Sequence, residues 1–349
     1  MPSQSIAAHG SPTQYPMNYC LEAFRPYLDS RLVSADAFSL INAFAKSLPP
    51  FSAAFLECRL GANEPRVDFA VRLSAESAAD SFQKVSAERE WKICLDAYHD
   101  WLRQHSFLPE EFGHIALEFD IPEASSPILV PAVFLSLHSA ASDKNSLIGM
   151  SSRILDRRLP ASFESYIAHC VDSLPGQAYM GYLGLMLSRA QDAVRLISRI
   201  STDRIVEYLR KIGWVGAKEP LEQLLAELAT LTDFVCLSFD AGDRVMPRLG
   251  FECYLSKQPK HERRWRLLLE RLVEMNLCSG PRKDAVLSWP GYTRERTTAS
   301  PVNSKEGSSW NNPFLNPVAL IRKISHLKIL YDSHARLEAK VYLEMVNYA

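Results

Sequence analysis

The sequence is poor in glycine and lacks the short motifs that identify many enzyme classes. Only 14 of its 349 residues are glycine, and it contains neither Gly-x-Gly-x-x-Gly nor Gly-Lys-Ser/Thr. Loops that bind dinucleotides or nucleoside triphosphates through glycine backbones are therefore not indicated. A Gly-x-Ser-x-Gly turn is also missing, so the sequence does not support a serine hydrolase of the usual type.

Cysteine and histidine do not form a recognisable metal-binding pattern. The seven cysteines include no Cys-x-x-Cys pair, and the nine histidines include no His-Glu-x-x-His. These are the spacings at which zinc ligands usually occur. Most of the cysteines lie in apolar runs, which is typical of reduced thiols packed in a core. We therefore expect no metal site.

A charge excess and long apolar runs are missing as well. The 39 Lys and Arg residues are balanced by 40 Asp and Glu residues, whereas binding to phosphate backbones requires clustered cations. No stretch approaches the ~18 consecutive apolar residues of a membrane-spanning helix, and residues 1–16 lack the apolar centre of a signal peptide. We expect a cytoplasmic protein with neither a nucleic acid nor a membrane as partner.

A strand–strand–helix pattern recurs five times along the chain. With 47% hydrophobic and 23% charged residues, the composition is that of a globular protein. We expect a loose tail at 1–17 and a single domain at 18–349. Helices are predicted at 19–47, 75–105, 163–174, 203–212, 220–230 and 262–275. Five hairpins are predicted from the segment pairs 55–60 and 66–73, 114–121 and 128–138, 178–187 and 193–200, 234–239 and 249–256, and 324–331 and 335–345.

The strand segments alternate between apolar and polar residues. Val67, Phe69 and Val71 share one face of their strand, while Asp68 and Arg72 share the other. Ten such strands form either an open sheet with one wet face or a closed barrel without edges. Because helices can cover only the apolar face, we favour an α+β fold in which a ten-stranded antiparallel β-barrel is ringed by α-helices. The polar residues would then line a lumen large enough for a ligand.

This arrangement resembles the ABBA family of aromatic prenyltransferases, also known as PT barrels. The resemblance covers about residues 50–349 and lies in the number, order and length of the elements. It implies a transferase that moves a dimethylallyl or geranyl group from its diphosphate to an aromatic acceptor, a small molecule or a peptide, inside the barrel. Such reactions are typical of natural product biosynthesis. We expect a monomer that needs no cofactor, with Mg²⁺ optional alongside the diphosphate.

The resemblance also implies roles for individual residues. Lys340-Val341-Tyr342 is similar to the strand Lys-x-Tyr pairs of the family, and Glu252-Cys253-Tyr254 is similar to a second pair with Glu in place of Lys. By this resemblance, Glu118 would be the catalytic acid that orients or deprotonates the acceptor. Cations would hold the diphosphate, and rings would shield the allylic cation or line the substrate pocket. The implied diphosphate-binding residues are Arg59, Arg72, Arg195, Lys328 and Lys340, and the implied shield and pocket residues are Tyr254, Tyr342, His326 and Phe134.

The expected lumen also contains many acids, which leaves a second hypothesis open. A diphosphate site should carry net positive charge, but the inward acids roughly balance the inward cations. The same barrel could therefore bind or modify a peptide or small molecule without prenylation. The acids predicted to face inward are Glu57, Asp68, Glu118, Asp120, Asp240 and Glu252.

Overall fold

A computed structural model describes most of the protein. The predicted tail at 1–17 lies outside the described residues except for Met17, and so does most of the predicted helix at 75–105, of which 91–96 are helical. The described residues are 17–48, 51–61, 66–73, 91–96, 99, 112–121, 129–137, 143–155, 158–187, 193–296 and 317–348.

The described residues contain eleven strands in one antiparallel sheet. Successive strands pair with each other from β1 to β8, and β10 pairs with both β8 and β11. The strands are β1 (Phe51–Arg59), β2 (Val67–Leu73), β3 (Phe112–Phe119), β4 (Ala132–Leu137), β5 (Tyr179–Met186), β6 (Val194–Arg199), β7 (Phe234–Ala241), β8 (Val245–Tyr254), β9 (Gly291–Arg296), β10 (Pro317–Tyr331) and β11 (Leu337–Tyr348).

The sheet closes because its first and last strands pair. In the β1–β11 register, Glu57 lies opposite Tyr342 and Arg59 lies opposite Lys340. Together with the β10–β11 and β10–β8 pairings, this completes a ring of ten strands. The prediction of a closed ten-stranded antiparallel barrel is therefore confirmed, and the open sheet is excluded.

Strand β9 was not predicted from the sequence. It pairs with residues 317–322 of β10, outside the ring of ten. Its sequence, Gly-Tyr-Thr-Arg-Glu-Arg, is mostly polar and has little of the apolar alternation by which the other strands were predicted. Strand β9 can pair there because β10 is 15 residues long and extends beyond the residues that pair with β8.

Eight α-helices lie entirely within the described residues, in addition to the helical residues 91–96. The predicted single helix at 19–47 is wrong: two helices are separated by a short 3₁₀ turn at Arg25–Tyr27. Pro26 cannot donate a helical hydrogen bond, and the Ser34 hydroxyl accepts one from the Ala37 N–H to begin the second helix. The helices are α1 (Met17–Phe24), α2 (Ala35–Ala45), α3 (Lys144–Ile154), α4 (Ala161–Asp172), α5 (Ile205–Lys211), α6 (Lys218–Leu231), α7 (Arg264–Glu274) and α8 (Gly280–Ser288).

The apolar faces of strands and helices form one large outer core. Phe69, Leu117 and Phe251 of the strands are fully buried there, together with Trp265 of α7 and Leu228 of α6. Burial of apolar surface between barrel and helices is the main stabilising contribution of this layer. No helix in the described part of the chain is both long and apolar enough to cross a membrane.

The two ends of the barrel differ in their connections. The last residues of β1, β3, β5, β7 and β10 all lie at one end of the barrel, which we call the hairpin end. The connections that include helices leave from the opposite end, which we call the helix end. A ligand approaching the lumen therefore meets different surroundings at each end.

Candidate active site in the barrel lumen

The inward face of the barrel has a small apolar cluster of its own, separate from the outer core. It consists of Ala132, Phe134, Met186 and Ile197. Phe134 fits because the residue opposite it is Gly184: a Cβ atom there would lie 2.5 Å from Phe134 Cε1. The alternation of the strands thus places one apolar wall in an otherwise polar lumen.

Lys340 and Tyr342 share one carboxylate. The Lys340 ammonium and the Tyr342 hydroxyl both donate hydrogen bonds to Glu57 on the neighbouring strand β1. Burial opposes the charge of Glu57, but Lys340 and then Lys328 outweigh it and hold the pKa of Glu57 well below its usual range. Burial, followed by the charge of Glu57, raises the pKa of Tyr342. The Glu57 carboxylate is therefore ionised, and each of its two oxygens accepts a hydrogen bond.

Lys328 and Tyr254 repeat this arrangement around Glu252. Lys328 Nζ lies 2.9 Å from Glu252 Oε1 and 3.4 Å from Ser238 Oγ. The Tyr254 hydroxyl donates to Glu252 Oε2 at 3.0 Å. Gly250 leaves room for the lysine, since a Cβ there would meet Lys328 Cε at 2.6 Å. The lumen thus contains two clusters in which one lysine and one tyrosine share an acid.

Two arginines expected to hold diphosphate also pair with acids. Arg195 points inward and binds Asp240 through two hydrogen bonds of 2.7 and 3.0 Å. Arg59 Nη1 lies 3.3 Å from Asp68 Oδ2. Arg72 has its guanidinium carbon 5.3 Å from the centre of a phenylalanine ring on β1. Arg59, Arg195, Lys328 and Lys340 therefore already have a carboxylate partner.

Three of the four implied shield and pocket residues belong to one continuous stack of rings. Tyr254 and His326 stack with centroids 4.8 Å apart, and His326 and Tyr342 with centroids 4.1 Å apart. The sequence analysis did not identify the next ring, Phe234, which stacks on Tyr254 at 4.7 Å. The alternation in β7 could have found it, because Phe234 is on the same face as the inward Ser238 and Asp240. Four rings therefore line one wall of the lumen.

His326 lies directly after a β-bulge in β10 and faces inward like Lys328, two residues further along the strand. The register with β11 shifts between Ile324 and His326, so Ile324 joins the outer core while His326 faces inward. Its Nδ1 lies 3.1 Å from Ser325 Oγ, whereas its buried Nε2 has no hydrogen-bond partner among the described residues. Burial lowers the pKa of His326 to about 4, so the ring is neutral near pH 7.

Glu118 differs from the other inward acids. It lies between Ala70 and Ala132 on the neighbouring strands, and no hydrogen bond or ion pair to it occurs within the described ranges. Burial, followed by repulsion from Glu57, raises its pKa to about 7, against the attraction of Arg195 and the two lysines. A half-buried carboxyl group with this pKa can take up or release a proton near neutral pH. Phe134 of the apolar cluster faces the same part of the lumen.

A cavity of about 520 Å³ opens at the helix end. Its walls include Tyr179, Arg199 and Phe234 from the inward faces of β5, β6 and β7, and Ser201 and Thr202 from the following turn. The guanidinium carbon of Arg199 lies 4.0 Å from the centre of the Phe234 ring. The stack of four rings therefore extends from this mouth to the Glu57 cluster inside.

Comparison with known proteins gives a structural match only. No family model matches the sequence, and no curated protein matches it. The chain is similar to the crystal structure of 6-dimethylallyltryptophan synthase from Micromonospora olivasterospora in complex with DMASPP and Trp, with a TM-score of 0.50 and 12% identity over 96% of this chain and 97% of that one. A second solved structure, a 6-dimethylallyl tryptophan synthase, has a TM-score of 0.49 and 12% identity over 96% of each chain. The first match and the ring of ten strands confirm the fold: this chain is a closed prenyltransferase-type barrel.

Proposed function

We propose that the protein transfers an allylic group from its diphosphate to an aromatic acceptor inside the barrel. The observation that supports this most is the stack of Tyr254, His326 and Tyr342 along a buried wall. Loss of diphosphate leaves an allylic cation that water would quench. Ring faces stabilise such a cation, and a closed lumen keeps water away from it.

The cations around this wall would hold the leaving diphosphate. Lys328 and Lys340 each bond a carboxylate, but an ammonium group has three donors and can also bind a phosphate oxygen. Arg59, Arg72 and Arg195 face the same enclosed space. The diphosphate leaves with the electron pair of its C–O bond, so nearby positive charge stabilises the transition state. No cofactor is required, and Mg²⁺ stays optional.

Glu118 would orient the acceptor and remove its proton. After the allylic carbon bonds to the aromatic ring, the ring must lose one proton to become aromatic again. Glu118 can accept this proton because its pKa lies close to neutral. We propose an aromatic amino acid or a peptide containing one as the acceptor. Support for this class comes from the tryptophan bound in a solved structure of the same fold.

A second candidate function is binding or modification of a peptide or small molecule without prenylation. The pairing of Arg59, Arg195, Lys328 and Lys340 with carboxylates favours it. Each carboxylate offsets charge that a diphosphate would need, and repels the diphosphate itself. In this alternative the ring stack would bind a neutral or cationic ligand.

An assay with both donors decides between the two functions. The protein is incubated with dimethylallyl or geranyl diphosphate and with tryptophan or a tryptophan-containing peptide, with and without Mg²⁺, and products are identified by mass spectrometry. We expect a prenylated product and a rise in Tm with donor alone. Glu118→Gln should lower kcat by about 100-fold, whereas Glu338→Gln, an exposed change at the hairpin end, should not. Absence of both product and Tm shift at millimolar donor would favour the second function.

The cellular setting is part of the same proposal. We propose that the protein acts as a cytoplasmic monomer in natural product biosynthesis. Size-exclusion chromatography with light scattering tests the monomeric state, and cell fractionation tests the location. A stable dimer in solution would contradict the first, and recovery outside the cytoplasmic fraction would contradict the second.

A further inference from the structure

We infer that the helix-end mouth of the barrel contains a binding site for the oxyanion of a ligand, a carboxylate or a phosphate, centred on Arg199. Arg199 is the last residue of β6 and lines the cavity of about 520 Å³ at this end. It is not among the residues to which the prenyltransferase resemblance gives a role. The inference does not depend on prenyl transfer, because an anionic ligand could bind here whatever happens to it inside.

The arginine is held in an orientation suited to anion binding. Its guanidinium group lies over the Phe234 ring, with the carbon 4.0 Å from the ring centre. Stacking of this kind occupies the flat face of the group and leaves the N–H donors at its edge. Those donors match the spacing of two oxygens in a carboxylate or phosphate. The side chain is exposed to solvent, so a ligand can reach it.

The charge of Arg199 is not compensated within the described part of the chain. No carboxylate there forms an ion pair with it, in contrast to Arg59, Arg195, Lys328 and Lys340. A free arginine in a cavity wall is a general feature of anion sites.

The other charged groups in the cavity wall already have partners. Arg204 lies 2.8 Å from Glu207. Asp233 lies 2.6 Å from Arg264 and also accepts hydrogen bonds from Ser256. Arg264 also lies 2.6 Å from Glu262, so two carboxylates share its single positive charge. Of the charged residues that line the cavity, Arg199 is the one without an ion pair in the described structure.

A basic segment next to the mouth would attract the same kind of ligand. It follows β8 and is joined to the cavity wall through the contacts of Asp233 with Ser256 and Arg264. Exposed cations with no ion pair in the described structure lie along it, and a field of one sign raises the rate at which oppositely charged ligands arrive. These cations are Lys257, Lys260, Arg263 and Arg266.

The position of Arg199 also restricts the chemical class of the ligand that carries the oxyanion. The Phe234 ring beneath it continues into Tyr254 and the rest of the stack. A ligand with its oxyanion at Arg199 would therefore place an apolar or aromatic part along the ring faces toward the lumen. Two sources fit this chemistry: the carboxylate of an aromatic amino acid or peptide, and the phosphate of an allylic donor.

Isothermal titration calorimetry on the full chain tests the site. The probes are inorganic pyrophosphate, N-acetyltryptophan, and neutral N-acetyltryptophan amide. The proteins are wild type, Arg199→Gln, Arg199→Lys and Arg248→Gln, the last an equal charge change on an exposed arginine that pairs with Glu338 at the hairpin end. We expect Arg199→Gln to weaken binding of at least one anion by about ten-fold or more. Arg199→Lys should recover part of the affinity, and Arg248→Gln should retain it.

The outcomes separate the sources and can overturn the inference. A loss confined to pyrophosphate identifies a phosphate site, and a loss confined to N-acetyltryptophan identifies a carboxylate site. Unchanged binding of both anions to Arg199→Gln, or equal losses with Arg248→Gln, would overturn it. So would the absence of anion binding to wild type at ~10 mM, a concentration that detects even weak sites. If Arg199→Gln does not fold, Thr202→Glu, which adds a negative charge to the same wall, should abolish anion binding instead.

Discussion

Lys328 of β10 and Glu252 of β8 form an ion pair inside the barrel, with 2.9 Å between Nζ and Oε1. Both residues are more than nine-tenths buried. Two buried charges stabilise the fold only while each has its partner, because an isolated charge in a low-dielectric interior is strongly disfavoured.

Removal of one partner should therefore destabilise the protein strongly. We expect Lys328→Met to lower the free energy of unfolding by about 3–5 kcal/mol, since Glu252 would be left buried without its cation. Urea unfolding at pH 7 measures the change. The control is Arg248→Met, which breaks a half-exposed pair with Glu338 and should cost about 1 kcal/mol or less. Equal losses in the two variants would show that the inner pair is not effectively buried.

Gly184 should tolerate no side chain, because Phe134 occupies the space beside it. A Cβ at this position would lie 2.5 Å from the Phe134 ring and 3.1 Å from Arg195 Cβ. We expect Gly184→Ala to destabilise the protein by about 1–3 kcal/mol and to shift the Phe134 ring from its position on the lumen wall. Thermal unfolding and ligand binding would both report the change.

Gly149 provides the matched control for this substitution. It lies inside α3, and a Cβ there would meet nothing within 4 Å. Alanine has the higher helix propensity, so Gly149→Ala should stabilise the protein by about 0.5–1 kcal/mol. If both alanine variants changed stability in the same direction, the close contact at Gly184 would not be the cause.

Glu118 should make the protein less stable as the pH rises. Its pKa is about 7 in the folded state, compared with about 4.3 in an unfolded chain. Between these values the folded state holds a proton that the unfolded state has lost, so stability decreases as the pH rises toward 7. When the pH is raised from 5 to 8, the free energy of unfolding of wild type should fall by about 2–3 kcal/mol relative to that of Glu118→Gln. Unfolding curves at the two pH values test this, with Glu338→Gln as control. A pH-independent difference would contradict it.

His326 should have the opposite pH dependence. Its pKa is about 4 in the folded state, whereas an unfolded histidine titrates near 6.5. As the pH falls below about 6.5, the unfolded state binds a proton that the folded state does not bind, so the free energy of unfolding decreases. His326→Phe keeps a ring in the stack and removes the buried, unpartnered Nε2. It should therefore gain about 2 kcal/mol relative to wild type between pH 7.5 and pH 5.

The exposed His261 serves as control for this prediction. His261→Gln removes an exposed histidine outside the ring stack, so it should not reproduce the gain expected for His326→Phe. Direct measurement of the His326 titration by NMR would complement the unfolding data. An imidazole that titrates near 6.5 in the folded protein would show that the ring is hydrated rather than buried between the tyrosines.

The strands and their inward faces could be predicted because alternation is a local property. Lys340 and Tyr342, two positions apart on β11, were expected on one face and lie together. Helices α3 and α8 were missed, since α3 contains glycine and several serines with weak helix propensity and α8 begins at Gly280-Pro281, which resembles a turn. The separate beginning of α2 at its Ser34 cap was missed in the same way.

Residue partners could not be predicted, because they depend on register between distant strands. Glu57 lies 283 positions from Lys340, and no local pattern specifies that the two meet. The outward direction of Ile324 depends on a one-residue bulge in β10, because a regular alternation would place it on the same face as His326 and Lys328. The sequence predicted that inward acids and cations are about equal in number. Which acid pairs with which cation became clear only from the closed barrel.

Closure of the ring through β1 and β11 has a consequence for biosynthesis. The ribosome makes β1 long before β11, so β1 keeps one unpaired edge during most of translation, roughly 15–60 s at usual elongation rates. An unpaired edge can join strands of other chains, and contacts between distant segments form slowly. Newly made copies of this protein therefore present an edge to which strands of other chains can pair until the final strand emerges.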